Sequence, residues 1–568
     1  MIILGVAFLA DASACVLRDG HVVAAVSEER LNRVKQWNGV PHKAIAEVLK
    51  ISGLTLADID VIATHGAAPR VQDRAPFEAK AALIDSSELD AETRARQLAT
   101  LWGRYEHECN VLGTRTPAYL KEITALGRPV KTYGHHECHA STAYFATEWP
   151  DAAILTADGW GEDASHTLSH AAGLKIERLA HSHTFDSLGY FYGSITKALG
   201  FIPHRHEGKV LGLAALCEEP ESYATLREMV DADLDGNHFV GRMEAGLYAP
   251  RFENEALEAF VSGFPREDVA AAAQRVLEEV VCAHVGNLGD TASRLGVAGG
   301  IFANVKLNQR LAELPNVDEV RVFPNMGDGG LSVGAAWLAY AELTAQRPEP
   351  FQTCYLGPAP DDASIVAALT DAGLSYRRSD RVQDEIGGYL AEGKVVARCT
   401  GAMEFGPRAL GHRSILYHAR EPDVNRWLND RLNRSEFMPF APATLEEEAE
   451  RYYMNLDPIR ESAQFMTATC DCTELMKSEA PAAIHVDGTA RPQLVSRERT
   501  PDFHAILTAY RARTGQSTVI NTSFNMHEEP IVCTAEDAVR AFVSGGLDVL
   551  ALGDYIATRS DAMLEDEA

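Results

Sequence analysis

The sequence predicts an α/β protein of more than one domain, and three observations carry that expectation. Short apolar runs alternate with stretches of helical period along most of the chain. Three of those runs end in glycine and polar residues: AAILTADG from Ala152, VAGGIFAN from Val297 and VRVFPNMGDGG from Val320. Such strand ends are where α/β sheets hold ligands. Finally, 568 residues exceed what one hydrophobic core organises, so roughly two to four domains are expected.

In order, Ile2–Phe8 reads as a strand, Ala14–Arg18 as a second, Asp19-Gly20 as a tight turn and Val22–Val26 as a third strand, followed by SEERLNRVK as the start of a helix. A helix over Lys43–Ile51 and a strand over Asp58–Ala63 continue the mixed sheet. The charged, alanine-rich stretch Pro76–Leu112 reads as a helical insertion. At RPEPFQTCYLGPAP, residues 347–360, prolines replace helical periodicity, which marks a linker between a domain over 1–346 and another over 361–568. Beyond it come a helix from Ala363, a strand over Lys394–Cys399, the strand-loop unit STVINTSFN and a helix over Ala535–Val543. The closing LEDEA reads as a frayed acidic tail.

The composition, 46% hydrophobic and 23% charged, is that of an ordinary soluble globular protein. A net charge of −29 argues against nucleic-acid and anionic-membrane partners, because nothing offsets repulsion from phosphate. Ten scattered cysteines form neither a zinc CxxC pair nor a disulfide framework, which fits a reducing cytoplasm. The apolar N-terminus lacks a basic region and is broken by Asp11, so it reads as a buried strand; no apolar run is long enough to span a bilayer.

The stretch GAMEFGPRALGHRSIL, residues 401–416, sets two arginines, Arg408 and Arg413, in a Gly/Pro frame. Gly406 and Gly411 allow close approach of main chain to an anion, and guanidinium groups give bidentate donors that stay charged. Phosphate binding is one reading; surface arginines paired to carboxylates are the other. In HHECHASTAYF, His135 and His139 stand four residues apart and share one face of a helix. Asp158 and Asp328 each follow an apolar strand beside glycine. Two imidazoles with two carboxylates suit iron(II), manganese or zinc better than calcium.

Taken together and in order, DASACVLRDG, SEERLNRVK, HHECHASTAYF, TADGWGEDAS, LGYFYGSITKALG, HEGKVLGLA, AGGIFANVKLNQRL, GDGGLSVGAA, GAMEFGPRALGHRSIL, EFMPFAPATL, DGTARPQLV and INTSFNMHEEPIVC resemble the bacterial O-carbamoyltransferases of the NodU, CmcH and TobZ type over almost the whole chain. The resemblance implies an N-terminal actin-like domain, related to the metal-binding tRNA threonylcarbamoyl transferases, and a C-terminal domain of the YrdC-like α/β fold. It implies that carbamoyl phosphate and ATP, with Mg2+, give carbamoyl adenylate in the C-terminal domain. The carbamoyl group then passes to a hydroxyl, or an amine, of a small acceptor in the N-terminal domain. Arg408, Arg413, Arg434 and Arg491, with Asn521, Ser523 and Asn525, would bind ATP and carbamoyl phosphate. Lys35, Lys209, Gly299, Gly300 and Asn304 would flank the adenylate. A divalent metal, iron(II) first, would sit on His135, His139, Asp158 and Asp328. No oligomeric state follows from the sequence, although a homodimer is compatible with it.

Two departures from the family pattern bear on chemistry. Relatives usually carry a histidine before DAS, resembling a general base, where this chain has Ala10. Asp11 is then the first candidate to take the acceptor proton and His136 the second, beside Lys35 and Arg408 as catalytic candidates. Ala402 and Met438 stand where relatives often have arginine. A tRNA threonylcarbamoylation enzyme, or a nucleotide sensor whose acceptor chemistry is lost through Ala10, are the competing expectations.

Overall fold

The opening strand β1 (Ile2–Ala7) returns antiparallel as β2 (Ser13–Arg18), with Ile2 opposite Arg18 and Ala7 opposite Ser13, and the chain turns at Asp19-Gly20 into β3 (His21–Ser27). The computed structural model describes residues 1–67, 72–432 and 439–559. β4 (Val61–His65) and β5 (Val130–Tyr133) add parallel strands, giving one sheet of order β3-β2-β1-β4-β5. The strand expected from Asp58 starts at Val61. Leu56–Asp58 forms a 3-10 turn instead, because the Asp58 carboxylate accepts the Thr55 N–H at 2.8 Å and closes the turn locally.

A second sheet is built from β6 (Asp151–Gly161), β7 (Ala164–Ala172) and β8 (Lys175–His183), which are followed by a hairpin of β9 (Val230–Asp233) and β10 (His238–Gly241) and then by β11 (Arg294–Ala298) and β12 (Glu319–Val322). Its order is β12-β11-β6-β7-β8, parallel from β12 to β6 and antiparallel beyond. Two helices lie back to back between the sheets. Leu331–Thr344 packs on β1, β2 and β4, while His135–Phe145 packs on β6 and β11. Their backbones nearly touch: a Cβ on Gly334 would lie 2.1 Å from the Cys138 carbonyl oxygen, so only glycine fits. The predicted insertion is indeed helical, with Ala75–Ser86 and Ala91–Asn110 followed by a π-turn at Val111–Arg115.

The second unit is built on an eight-stranded mixed sheet. Its strands are β13 (Tyr376–Arg378), β14 (Val396–Cys399), β15 (Arg413–His418), β16 (Ala441–Leu445), β19 (Gln493–Val495), β20 (Thr518–Ser523), β21 (Val549–Leu552) and β22 (Tyr555–Thr558), with the two-residue strands β17 (Cys470–Asp471) and β18 (Thr489–Ala490) pairing separately. Helices Val382–Ala391 and Pro501–Thr514 contribute Ile386, Leu390, Phe503 and Leu507 to a core that they share with Leu416 and Val519 of the sheet.

The division between units is not a single cut. Residues 1–22, 38–41 and 54–351 form the first; residues 23–37, 42–53 and 352 onward form the second. The expected continuous domain over 1–346 is therefore interrupted. The physical reason is visible in the bonds made by SEERLNRVK. Arg30, buried, donates to the Gly406 carbonyl at 2.9 Å, and Arg33 donates to the Pro530 and Ile531 carbonyls at 2.7 Å each. Among the described residues, no helix is long and apolar enough to cross a membrane. The acidic tail LEDEA, Arg434 and Met438 lie outside the described residues.

Candidate functional site

Two histidines one helical turn apart need a helix start that leaves their rings facing the same way. The His135–Phe145 helix begins at Gly134, whose N–H donates to Glu137 at 3.2 Å. Asp158 comes from β6, where pairing with β7 slips register between Ala157 and Gly161, and Asp328 opens the short turn after β12. One ligand atom from each of these four residues lies within 4.8 Å of all the others. His139 Nε2 is 3.2 Å from Asp158 Oδ2 and 3.5 Å from Asp328 Oδ1; His135 Nε2 is 3.8 and 3.6 Å from the same atoms.

The donor set fits a metal ion. His135 Nε2, both ring nitrogens of His139 and Asp158 Oδ2 are buried without a hydrogen-bond partner, an arrangement that is expensive unless a cation fills the space between them. The electrostatics point the same way. Burial opposes a charged His139, yet Asp158 and Asp328 outweigh it and push that ring up to about 9. Asp158, whose burial alone would raise it, is held well below the usual carboxylate range by His135 and His139. The site is built to hold positive charge.

Several neighbours shape the site. Gly299, at φ 104, crosses so close to β6 that a Cβ would lie 2.2 Å from the Ala157 oxygen, and one on Gly300 would lie 3.0 Å from Asp158 Oδ1. The loop after β1 has left-handed Leu9 (φ 67) and Asp11 (φ 48), conformations that cost about 1 kcal/mol or more apiece. Ser13 ties that loop to the Asp328 turn, donating to the Gly329 carbonyl at 2.7 Å and meeting Ser332 Oγ at 2.7 Å. Two further residues carry no role in the sequence pattern, although Glu162 lies within TADGWGEDAS. His65 stacks on Phe8 at 4.1 Å and meets His135 edge-on at 5.9 Å; burial, then the charge of His135, pushes it down to about 3. Glu162 accepts the His135 N–H at 3.1 Å, and burial pushes its carboxyl up to about 7.

His136 is corrected by the structure. Its Nδ1 meets Thr156 Oγ1 at 2.8 Å and its Nε2 meets the Ala164 carbonyl at 3.0 Å, so the buried ring carries its proton on Nε2 and has no vacant nitrogen for an acceptor. Asn304 is likewise committed to the fold. It caps the helix Val305–Ala312 by accepting from Leu307 N at 3.0 Å and exchanges hydrogen bonds with Gln274. Lys209 is buried on the helix Glu207–Ala214. Lys35, expected beside the adenylate in the N-terminal domain, belongs to the segment that folds with the second unit.

In the second unit the arginine loop is braced from beneath. One Glu404 oxygen accepts the N–H groups of Leu410, His412 and Arg413 at 2.8, 2.9 and 3.2 Å. Arg398, fully buried, donates to the Gly411 carbonyl at 2.7 Å and pairs with Asp502; Tyr355 stacks on His412 at 3.9 Å and donates to the Leu410 carbonyl at 2.7 Å. Arg413 is corrected from phosphate ligand to brace. It is 0% exposed and its guanidinium donates to the carbonyls of Pro358, Thr400, Gly401 and His412. Asn521, also buried, donates to the Ala409 carbonyl and Gln493, and Asn525 donates to the carbonyls of Met526 and Glu529. Both amides hold main chain. Arg408, Arg491 and Ser523 remain only partly buried.

The family described as "Carbamoyltransferase N-terminus" matches residues 2–337, and that described as "Carbamoyltransferase C-terminus" matches residues 388–559. The chain belongs to the carbamoyltransferase family. Its relatives include nodulation protein NolNO of Sinorhizobium fredii, 33% identical over 98% of this chain and 80% of that one. Nodulation protein NolO of Bradyrhizobium diazoefficiens is 32% identical over 76% of this chain and 80% of its own length, and nodulation protein U of Rhizobium tropici is 26% identical over 93% and 91%. Full-length HypF, in its phosphate- and nucleotide-bound form, covers 61% of this carbamoyltransferase at 15% identity and a TM-score of 0.32, a level at which it assigns no fold.

Proposed function

We propose that this carbamoyltransferase uses ATP, with Mg2+, and carbamoyl phosphate to form carbamoyl adenylate, and transfers the carbamoyl group to a hydroxyl of a small acceptor. The observation that carries the reading is the convergence of His135, His139, Asp158 and Asp328 in a chain of this family. In this reading the first unit is actin-like and the second YrdC-like. Arg408 and Arg491 neutralise phosphate charge in the second unit, with Ser523 at the nucleotide: water cleaves carbamoyl phosphate to carbamate and inorganic phosphate, and a carbamate oxygen then attacks the α-phosphorus of ATP, so that pyrophosphate leaves and carbamoyl adenylate remains. Arg413, Asn521 and Asn525 keep the main chain of that site in shape.

In the first unit, His135, His139, Asp158 and Asp328 would hold a divalent metal, iron(II) first and manganese or zinc next. Such an ion supplies Lewis-acid polarisation and charge neutralisation at phosphate when bound. Gly299 and Gly300 bring the main chain close beside Asp158, where the adenylate would lie. The acceptor oxygen attacks the carbamoyl carbon, the bond to the AMP phosphate oxygen breaks, and the acceptor proton goes to Asp11 or through it to water. Asp11 acts chiefly by orienting the hydroxyl. An amine acceptor needs less help.

The test is pyrophosphate release from ATP with and without carbamoyl phosphate, followed by a panel of hydroxylated acceptors read by a mass gain of one carbamoyl group. Carbamoyl-phosphate-dependent release is expected without any acceptor. Its absence refutes the adenylate route, and release with no acceptor ever modified favours a nucleotide sensor.

A further inference from the structure

In the first unit, apart from the metal centre, buried charge concentrates in the helical insertion. Arg104 and Glu108, four residues apart on Ala91–Asn110, are both buried, Glu108 completely. Arg104 Nε donates to Glu108, and its Nη1 donates to the Tyr190 hydroxyl. The guanidinium carbon lies 4.6 Å from the ring centroids of both Trp160 and Tyr190. Taking two charges out of water costs several kcal/mol per ion, so a helix that only had to pack here would do better with leucine or methionine.

The hydrogen bonds of this pair lead to the metal centre by two routes. Gln72 Nε2 donates to Glu108 Oε2 at 2.6 Å and to the Glu162 carbonyl at 3.0 Å. Glu162 in turn accepts the His135 N–H through Oε2. It does so from a left-handed backbone, φ 61, which must be held in place by its surroundings. The second route runs through Tyr190, whose N–H donates to Ser187 Oγ at 3.1 Å; that hydroxyl donates to the Asp158 carbonyl at 3.1 Å. Trp160, under the guanidinium, is two residues beyond Asp158 on the same strand.

We propose that Arg104 and Glu108 are positioning residues for the metal centre: they fix the strand end 158–162 and the Glu162 carboxylate, and thereby set where Asp158 and His135 present their ligand atoms. This rests on the metal reading above. Neither residue touches the four ligand atoms. A purely structural role, anchoring the insertion, makes a different prediction, and the same insertion supplies the control. Lys80 is buried 3.3 Å from both Asp186 and Glu244; the Asp186 carboxylate accepts the Gly241 N–H, and neither carboxylate bonds to the strand end 158–162.

The experiment loads the metal-depleted full-length protein with cobalt(II), reading its absorption bands and its affinity by chelator competition, alongside circular dichroism. Glu108→Gln and Arg104→Lys are expected to stay folded, shift the cobalt bands and weaken binding by about tenfold or more. Lys80→Met should lower the melting temperature and leave bands and affinity as in the wild type. Wild-type bands and affinity in folded Glu108→Gln and Arg104→Lys overturn the proposal, as does an equal cobalt shift in Lys80→Met. Should both single variants fail to fold, the double variant Arg104→Met/Glu108→Leu removes the charges together and is read in the same way. A wild type that binds no cobalt refutes the metal reading, and this inference with it; one that binds cobalt while the variants are unchanged refutes this inference alone.

Discussion

The cluster of His135, His139, Asp158 and Asp328 and the arginine loop invite comparison, because the sequence predicts several side chains around one ligand at each. At the first, four side chains turn toward each other and leave polar atoms waiting in a buried space. At the second, N–H donors of Arg413, Asn521 and Asn525 go to carbonyl oxygens of the chain itself. The lesson concerns local geometry. On a helix, spacing dictates direction, whereas in a glycine-rich loop two arginines five residues apart face wherever the main chain takes them, and one of them is needed to hold it there.

The sharpest way to break the comparison is at His139, for which the largest effect is expected. His139→Ala should lower metal affinity by about a hundredfold or more and abolish carbamoyl transfer while pyrophosphate release continues. Full metal content by elemental analysis would sink the centre. Next comes a pair in the loop. Arg408→Ala should melt like the wild type and release pyrophosphate on the order of a hundredfold more slowly. Arg413→Ala should instead lose about 3 kcal/mol or more of stability in urea unfolding, because four carbonyl contacts lose their donor. If the two variants exchanged phenotypes, the assignment of brace and ligand would be inverted.

A smaller effect is expected from pH. His284, fully buried between Phe239 and His166, is pushed down to about 4, mainly by burial with His238 adding to it. Its unfolded value is near 6.5, so the unfolded chain takes up the proton first. The stability contributed by the neutral ring is complete above pH 6.5 and is lost as pH falls toward 4, about 2 kcal/mol by pH 5. The urea midpoint should fall between pH 7 and pH 5, and less so in His284→Phe. An identical fall in that variant would place the titration elsewhere. The smallest effect concerns Asp11. Asp11→Asn should slow transfer several-fold with adenylate formation unchanged, since an orienting group contributes less than a full proton acceptor. Unaltered product formation at saturating ATP and carbamoyl phosphate would send the proton to another group.

Much of the fold was legible because it is local. The hairpin around Asp19-Gly20, the helix bearing His135 and His139 and the strand ends bearing Asp158 and Asp328 each follow from a few neighbouring residues. What could not be read depends on partners far along the chain. Glu108 meets Gln72 across 36 residues and Thr184 across 76, and no spacing rule links them. His136 looked as available as His135, yet a one-residue step around the helix turns it into the sheet, onto Thr156 and Ala164. Lys35, which sequence order puts among residues of the first unit, folds with the second.

That crossing has a consequence in time. Arg30 and the Gly406 carbonyl it serves are separated by 376 residues, so during synthesis the early segment is made long before its destination exists. At roughly 5–20 residues per second, the wait is on the order of 20–75 seconds. Over that interval the short helix Glu28–Asn32 has the neighbouring helix His42–Ser52, whose Ala44 N–H donates to Glu28 at 2.7 Å, but not the loop that Arg30 serves. The second unit is thus completed only long after its first segment has been made, and a nascent chain cut short within it leaves that early segment without its partner.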